Sequence, residues 1–215
     1  MKTGERIKAI IGDRVLERKL RNQKRSVAVC NINSAQNIGI LYNATEYVSF
    51  EIIRDFTKKL SQNNSNVHIL GYVDSKKLID HYLYRKGFDF FSRNDLNWYY
   101  KPLSEVAEKF MKQPFDLLIN LSLEAIFPIQ YIVALSPATF KVGKFSPDEK
   151  HLDLMIDIEK ENEQMKKVHE EIFTGKKGHD SSDEMEQEIE KKTHEELQLS
   201  FLINQILHYL AILKK

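Results

Sequence analysis

Between Phe115 and Gly143 the apolar residues change their spacing twice. Phe115, Leu117, Leu118, Ile119 and Leu121 form a short, nearly continuous apolar run, as expected of a strand covered on both faces. After the loop Ser122-Leu123-Glu124, apolar residues recur at helical spacing from Phe127 to Leu135 around Pro128. Ser136-Pro137 stops that helix, because a proline disfavours helical geometry in the residue before it. Phe140 to Val142 is long enough for one more strand, closed by Gly143. Strand, crossover helix and strand make a βαβ unit with parallel strands.

The same alternation runs through the rest of the chain. Ile7, Ile10, Ile11, Val15, Leu16 and Leu20 form an apolar stripe at helical spacing, with Arg14, Arg18, Arg21 and Arg25 mostly off it. Ile38 to Tyr42 predicts a strand, and Asn43-Ala44-Thr45-Glu46 a turn and the start of a helix that runs to about Leu60 with Val48, Phe50, Ile52, Ile53 and Phe56 facing inward. The polar turn at 61–66 precedes a strand from Val67 to Val73, ending in Asp74-Ser75. A helix over Leu78 to Tyr84 is expected to end at Gly87. Phe88 to Phe91 predicts a short strand, Asp95 to Pro102 an aromatic loop, and Ser104 to Met111 a helix. His151 to Ile158 alternates apolar and polar residues, predicting a half-buried strand at a sheet edge. Leu197 to Leu213 is apolar nearly all round and is expected to be a buried helix on which the domain depends. Strands alternating with helices in this way predict an α/β, Rossmann-like three-layer sandwich with a mainly parallel sheet.

Residues 159–196 break the pattern. They are charged, and their centre, Thr174 to Ser182, is rich in helix breakers. Two exposed helices around a hinge, or disorder, are expected there. The organisation is therefore a basic helix over 1–25, one α/β domain built from 26–158 and 197–215, and a charged insertion at 159–196.

Charge sharpens this division. The formal net charge of the 215 residues is only +1. Residues 1–25, however, hold nine Lys/Arg against three Asp/Glu, and 159–196 hold thirteen acidic against seven basic residues. The two segments, +6 and −6, cancel. The first helix either lies on the domain with a solvated basic face or docks on a protein, RNA or an anionic surface, with Arg14, Arg18, Arg21, Lys24 and Arg25 as its contacts. The lone Cys30 excludes an internal disulfide and suits a reducing compartment. No apolar run reaches a membrane span and the N-terminus lacks a signal-peptide core. A cytoplasmic protein is expected, and the oligomeric state is not legible.

Motifs for chemistry are sparse. No Gly-x-Gly-x-x-Gly follows a strand, and there is no Walker-type loop and no Gly-x-Ser-x-Gly elbow. The seven histidines show no metal-ligand spacing. No cofactor, metal or catalytic residue is assigned. In open α/β sheets, ligands bind beyond the carboxyl ends of the strands. Those ends carry Asn43, Thr45 and Glu46, then Asp74 and Ser75, then Asn120, Ser122 and Glu124, which are the ligand-binding candidates. Such residues are also ordinary helix caps.

Two resemblances follow from these elements. IGILYNAT, VHILGYVDSK, FDFFSRNDLNWYYKP, FDLLINLSLEAIFPIQYIVALSPATFKVGKF and LDLMIDI resemble a family of small uncharacterised Bacteroidota proteins. The likeness covers most of 5–158 and the final helix, is most specific at Asp95–Trp98 and Asp116–Phe127, and implies no activity. More distantly, FDLLINLS…ALSPATFKVGKF is similar to the N-terminal Rossmann-like half of heptosyltransferase-like glycosyltransferases. That likeness implies nucleotide-sugar binding. Those enzymes hold the donor mainly on a second domain, for which this chain has no room, and Glu46 occupies the place of their acceptor-side acid. The sequence thus predicts a Rossmann-like binding or adaptor protein acting through its basic helix, with a small-molecule or nucleotide-sugar site as the alternative.

Overall fold

The computed structural model describes residues 3–45, 47–62, 65–76, 87–159 and 184–214. The expected helix over Leu78 to Tyr84, Glu46, and residues 160–183 of the charged segment lie outside the described residues. Six strands form one sheet: β1 (Asn37–Asn43), β2 (Asn66–Val73), β3 (Phe88–Ser92), β4 (Leu117–Asn120), β5 (Phe140–Lys144) and β6 (Leu154–Ile156). Their order is β3-β2-β1-β4-β5-β6, and every pairing is parallel. The sheet is thus wholly rather than mainly parallel. β6 takes the edge expected for the alternating segment, with Met155 exposed and Ile156 buried.

Among the described residues, five α-helices accompany it: α1 (Thr3–Leu20), α2 (Tyr47–Ser61), α3 (Glu105–Lys112), α4 (Phe127–Leu135) and α5 (Glu184–Ile212). Alternate strand residues face two separate cores. Ile38, Ile40, Ile119 and Val142 pack with α2 and α5, through Ile53, Phe56, Leu202 and Ile206. Leu41, Leu70 and Leu118 pack with α3 and α4, through Phe110, Ile129 and Ile132. All four residues of β4 are buried, which is why its sequence lacks a polar face. Ser104 starts α3 by accepting a hydrogen bond from the Ala107 N–H.

Two helices differ from expectation. α5 starts at Glu184, thirteen residues before Leu197, so part of the charged segment belongs to the same continuous helix. Its apolar residues are not all inside. Leu199, Leu202, Ile203, Ile206 and Leu210 are buried, but Leu197 is 44% exposed and Ile212 59%. One face packs on the sheet and the other meets solvent, as for an ordinary amphipathic helix.

α1 lies outside α4 and docks through the later part of the predicted stripe, Leu16 and Leu20, and through Gly12. Ile7 and Ile10 are exposed, whereas Gly12 and Leu16 are buried. Leu16 packs with Tyr131 and Ala134 of α4. A Cβ on Gly12 would fall 2.7 Å from Phe127 Cζ and 3.0 Å from Tyr99 O, so the helix can sit this close only with glycine there. The Tyr99 carbonyl comes from the aromatic loop, which closes through a Leu96–Pro102 bridge and holds Tyr100 at a φ of 66°. Asn97 stabilises that turn, its Oδ1 accepting from the N–H groups of Tyr99 and Lys101.

Candidate functional site

The strand order reverses between β1 and β4. The chain steps outward from β1 to β2 and β3, then returns to β4 and steps the other way. This is the switch point at which open α/β sheets leave a crevice beyond their strand ends. A cleft of about 430 Å³ opens there, on the side of α2 and α5.

Asn43 ends β1, and its Oδ1 accepts from Thr45 N at 3.1 Å and Thr45 Oγ1 at 2.6 Å. Thr45 Oγ1 accepts from Asp74 N at 2.9 Å, tying the ends of β1 and β2 together. Asp74 in turn accepts from Tyr72 Oη at 2.8 Å and from the Arg93 guanidinium. Burial alone would raise the Asp74 carboxyl. Hydrogen bonds from Arg93 and Tyr72 outweigh it and hold the group below its ordinary range. Burial, reinforced by Asp74, pushes the Tyr72 hydroxyl up. Asp74 is thus a fixed anion.

The structure brings Asn43, Thr45, Asp74 and Glu124 to this cleft, with Ser49, Lys144, Glu195 and Gln198. Capping and turn bonds use the Asn43 and Thr45 oxygens, as their residue types forewarned. Ser75 lies outside the cleft lining, and its carbonyl accepts the Arg93 N–H at 3.0 Å. Asn120 and Ser122 face a second cavity across the β4–α4 loop, and Glu124 borders both. Lys144 forms part of the shared wall, its Nζ donating to Leu123 O at 2.9 Å. Lys144 could have been found by extending the strand-end argument to β5. Glu195 and Gln198 could not, because only the packing of α5 delivers them.

The basic candidates divide. Arg14, Arg18, Arg21 and Lys24 are exposed. Arg25 is not available in the same way. Its Nε donates to Ala138 O, and its guanidinium pairs with Asp153, which is itself largely shielded. Among the described residues, no group of three or more His, Cys, Asp or Glu side chains could hold a metal ion. Nor is any helix of those residues long and apolar enough to cross a membrane.

The parallel sheet in 3-2-1-4-5-6 order and its switch-point cleft define a Rossmann-like α/β protein. A model of a family of unknown function, DUF6913, matches residues 8–174, and the chain belongs to that family. No curated protein and no solved structure matches it.

Proposed function

We propose that this protein binds a small polar ligand without phosphate groups in the cleft between β1 and β4. The observation that carries the proposal is the convergence of Asn43, Thr45, Asp74 and Glu124, from three separate strand ends, on one crevice at the switch point. The charge of the lining selects the ligand. Among the described lining residues, Asp74, Glu124 and Glu195 stand beside one lysine, whose amine already serves the Leu123 carbonyl, and Asp74 is paired with Arg93 at the rim. A nucleotide-sugar diphosphate would meet an acidic lining and no glycine-rich loop. A hydroxylated or cationic molecule suits the same lining.

A ligand-detected screen of polyols, nucleosides and small amines, each beside a phosphorylated counterpart, tests this reading. Binding should favour the phosphate-free member and disappear in Ser49→Phe, which fills the cleft from α2. Equal or better binding of the phosphorylated members, or binding that survives the filled cleft, would end it.

A second reading has its own support. Arg14, Arg18, Arg21 and Lys24 are exposed on and just beyond a helix whose opposite side is seated through Gly12 and Leu16. This leaves a basic face for an acidic macromolecular partner. Four phosphate contacts on duplex nucleic acid would give log K against log salt a slope of roughly −3 to −4. Reversing Arg14, Arg18 and Arg21 to Glu should abolish such binding and leave melting nearly unchanged. Retained binding in the reversed protein would exclude it.

A further inference from the structure

The outward side of α1 is not uniformly polar. Ile7, Ile10, Arg14 and Arg18 follow one another at spacings of three, four and four residues. That spacing places them on one face of the helix, opposite the side seated through Gly12 and Leu16. Ile7 is 53% exposed and Ile10 51%, and both arginines stand in solvent. A helix that merely covered the domain would turn its isoleucines inward and leave this face polar.

A second exposed apolar group meets the same helix. The aromatic loop touches α1 twice, through Tyr99 O beside Gly12 and through the Tyr100 ring, 5.9 Å from Lys8 Nζ. It carries Trp98, 59% exposed, and at its base Leu103, 56% exposed. The loop is tightly built. Asn97 Oδ1 gathers the Tyr99 and Lys101 N–H groups, Leu103 N donates to Asp95 O at 2.7 Å, and Tyr100 sits at a positive φ. Such a backbone is costly for a bulky residue, and it holds an indole outside the protein. Single apolar side chains on a surface need no explanation, but four around one junction do.

We propose that this surface docks on an anionic lipid bilayer. Ile7, Ile10, Trp98 and Leu103 enter the boundary between headgroups and acyl chains, where an indole and aliphatic side chains are both stable. Arg14 and Arg18 stay at headgroup depth, and Arg21 and Lys24, exposed just beyond the helix, extend the basic edge. Asp13 and Glu17 are outnumbered there by Lys8, Arg14, Arg18, Lys19, Arg21 and Lys24, so the charge of the segment complements an anionic leaflet. RNA would take the same cations and stack on Trp98, but it gives two isoleucines and a leucine nothing to bury against. The proposal rests on the same basic face as the second reading above and puts a lipid surface in place of a macromolecule.

Trp98 is the chain's single tryptophan, so intrinsic emission reports on this loop alone. The full chain should co-sediment with vesicles of phosphatidylcholine containing about a third phosphatidylserine. Trp98 emission should then shift blue and be quenched by brominated acyl chains. Vesicles of phosphatidylcholine alone should bind about tenfold more weakly or worse, as should the mixed vesicles at high salt. The double variant Ile7→Ser, Ile10→Ser should lose about tenfold or more in vesicle affinity. Its melting temperature should stay nearly unchanged, because both side chains are largely exposed. An RNA oligonucleotide is the comparison. Binding of RNA but not of vesicles, abolished by Arg14→Glu with Arg18→Glu, would overturn the lipid assignment and leave the basic-face reading standing. Vesicle binding without a Trp98 shift, or indifferent to the isoleucine substitutions, would be adsorption by charge alone and would overturn it too. So would binding of neither probe.

Discussion

The Lys141 side-chain nitrogen donates to Val133 O at 2.6 Å and to Ala134 O at 3.2 Å, closing the C-terminus of α4 from inside the protein. Those carbonyls belong to the last turn, which has no acceptor role left within the helix. Lys141 is 1% exposed. Burial lowers its pKa to about 7, with Arg25 adding to the effect and Asp153 and Glu149 opposing it.

This relationship predicts a pH dependence of stability. The folded value lies below the ordinary 10.5, so between about pH 7 and 10.5 the unfolded chain binds more protons than the folded one. Stability contributed at this position therefore rises with pH across that window, by at most about 1.4 kcal/mol per pH unit. Below pH 7 the cost of burying the charge is present in full. Measured by denaturant titration, the stability of wild type relative to Lys141→Met should increase from pH 7 to 9. A difference that stays flat would show that the lysine keeps its proton in the fold.

Gly12→Ala should destabilise, against helix propensity. Alanine in an exposed helix interior gains roughly 0.5–1 kcal/mol over glycine. Here the new methyl would press on Phe127 and on the Tyr99 carbonyl, which is backbone and cannot swing away. A lowered melting temperature, with faster proteolysis within residues 1–25, is the expected outcome. A raised one would mean that α1 is seated less closely on α4.

Truncations along α5 should sort by face. Ile206→Ala and Leu210→Ala, both fully buried, should each cost about 2–5 kcal/mol. Ile212→Ala, at a largely exposed position, should stay within about 0.5 kcal/mol. Denaturant midpoints of the three variants check this, and equal losses would contradict the amphipathic packing.

Asp153→Ala should be costlier than an ordinary surface change. Asp153 pairs with Arg25 and accepts the Lys141 N–H at 2.8 Å, binding the segment after α1 to the edge of the sheet. The pair lies between an exposed bridge and a buried one, so a loss of about 2–4 kcal/mol is expected. Thermal unfolding of Asp153→Ala beside Arg25→Met measures it. A loss below about 0.5 kcal/mol in both would show that the pair is only a surface contact.

The strand-end argument shows how far residue pattern carries. Apolar runs at Ile38–Tyr42, Val67–Val73 and Leu117–Leu121 placed the central strands, because a strand buried on both faces has no room for polar residues. Their ends then supplied Asn43, Thr45, Asp74 and Glu124 of the cleft. The same argument could not divide the candidates between two cavities. That division follows from the path of the β4–α4 loop, which turns Ser122 to one side and leaves Glu124 bordering both.

Local composition by itself determined the alternation of strands and helices, the βαβ unit, the basic character of α1 and the edge position of β6, since each depends on residues a few places apart. Only tertiary structure decided which face of α5 is buried, and that α1 docks through Gly12 and the later part of its stripe while Ile7 and Ile10 stay exposed. It also decided that Arg25 is committed to Asp153, 128 residues away. Periodicity records how much apolar surface an element carries. Which part of it leaves water is set by the shape of the partner, and a partner distant in sequence leaves no mark on the local pattern.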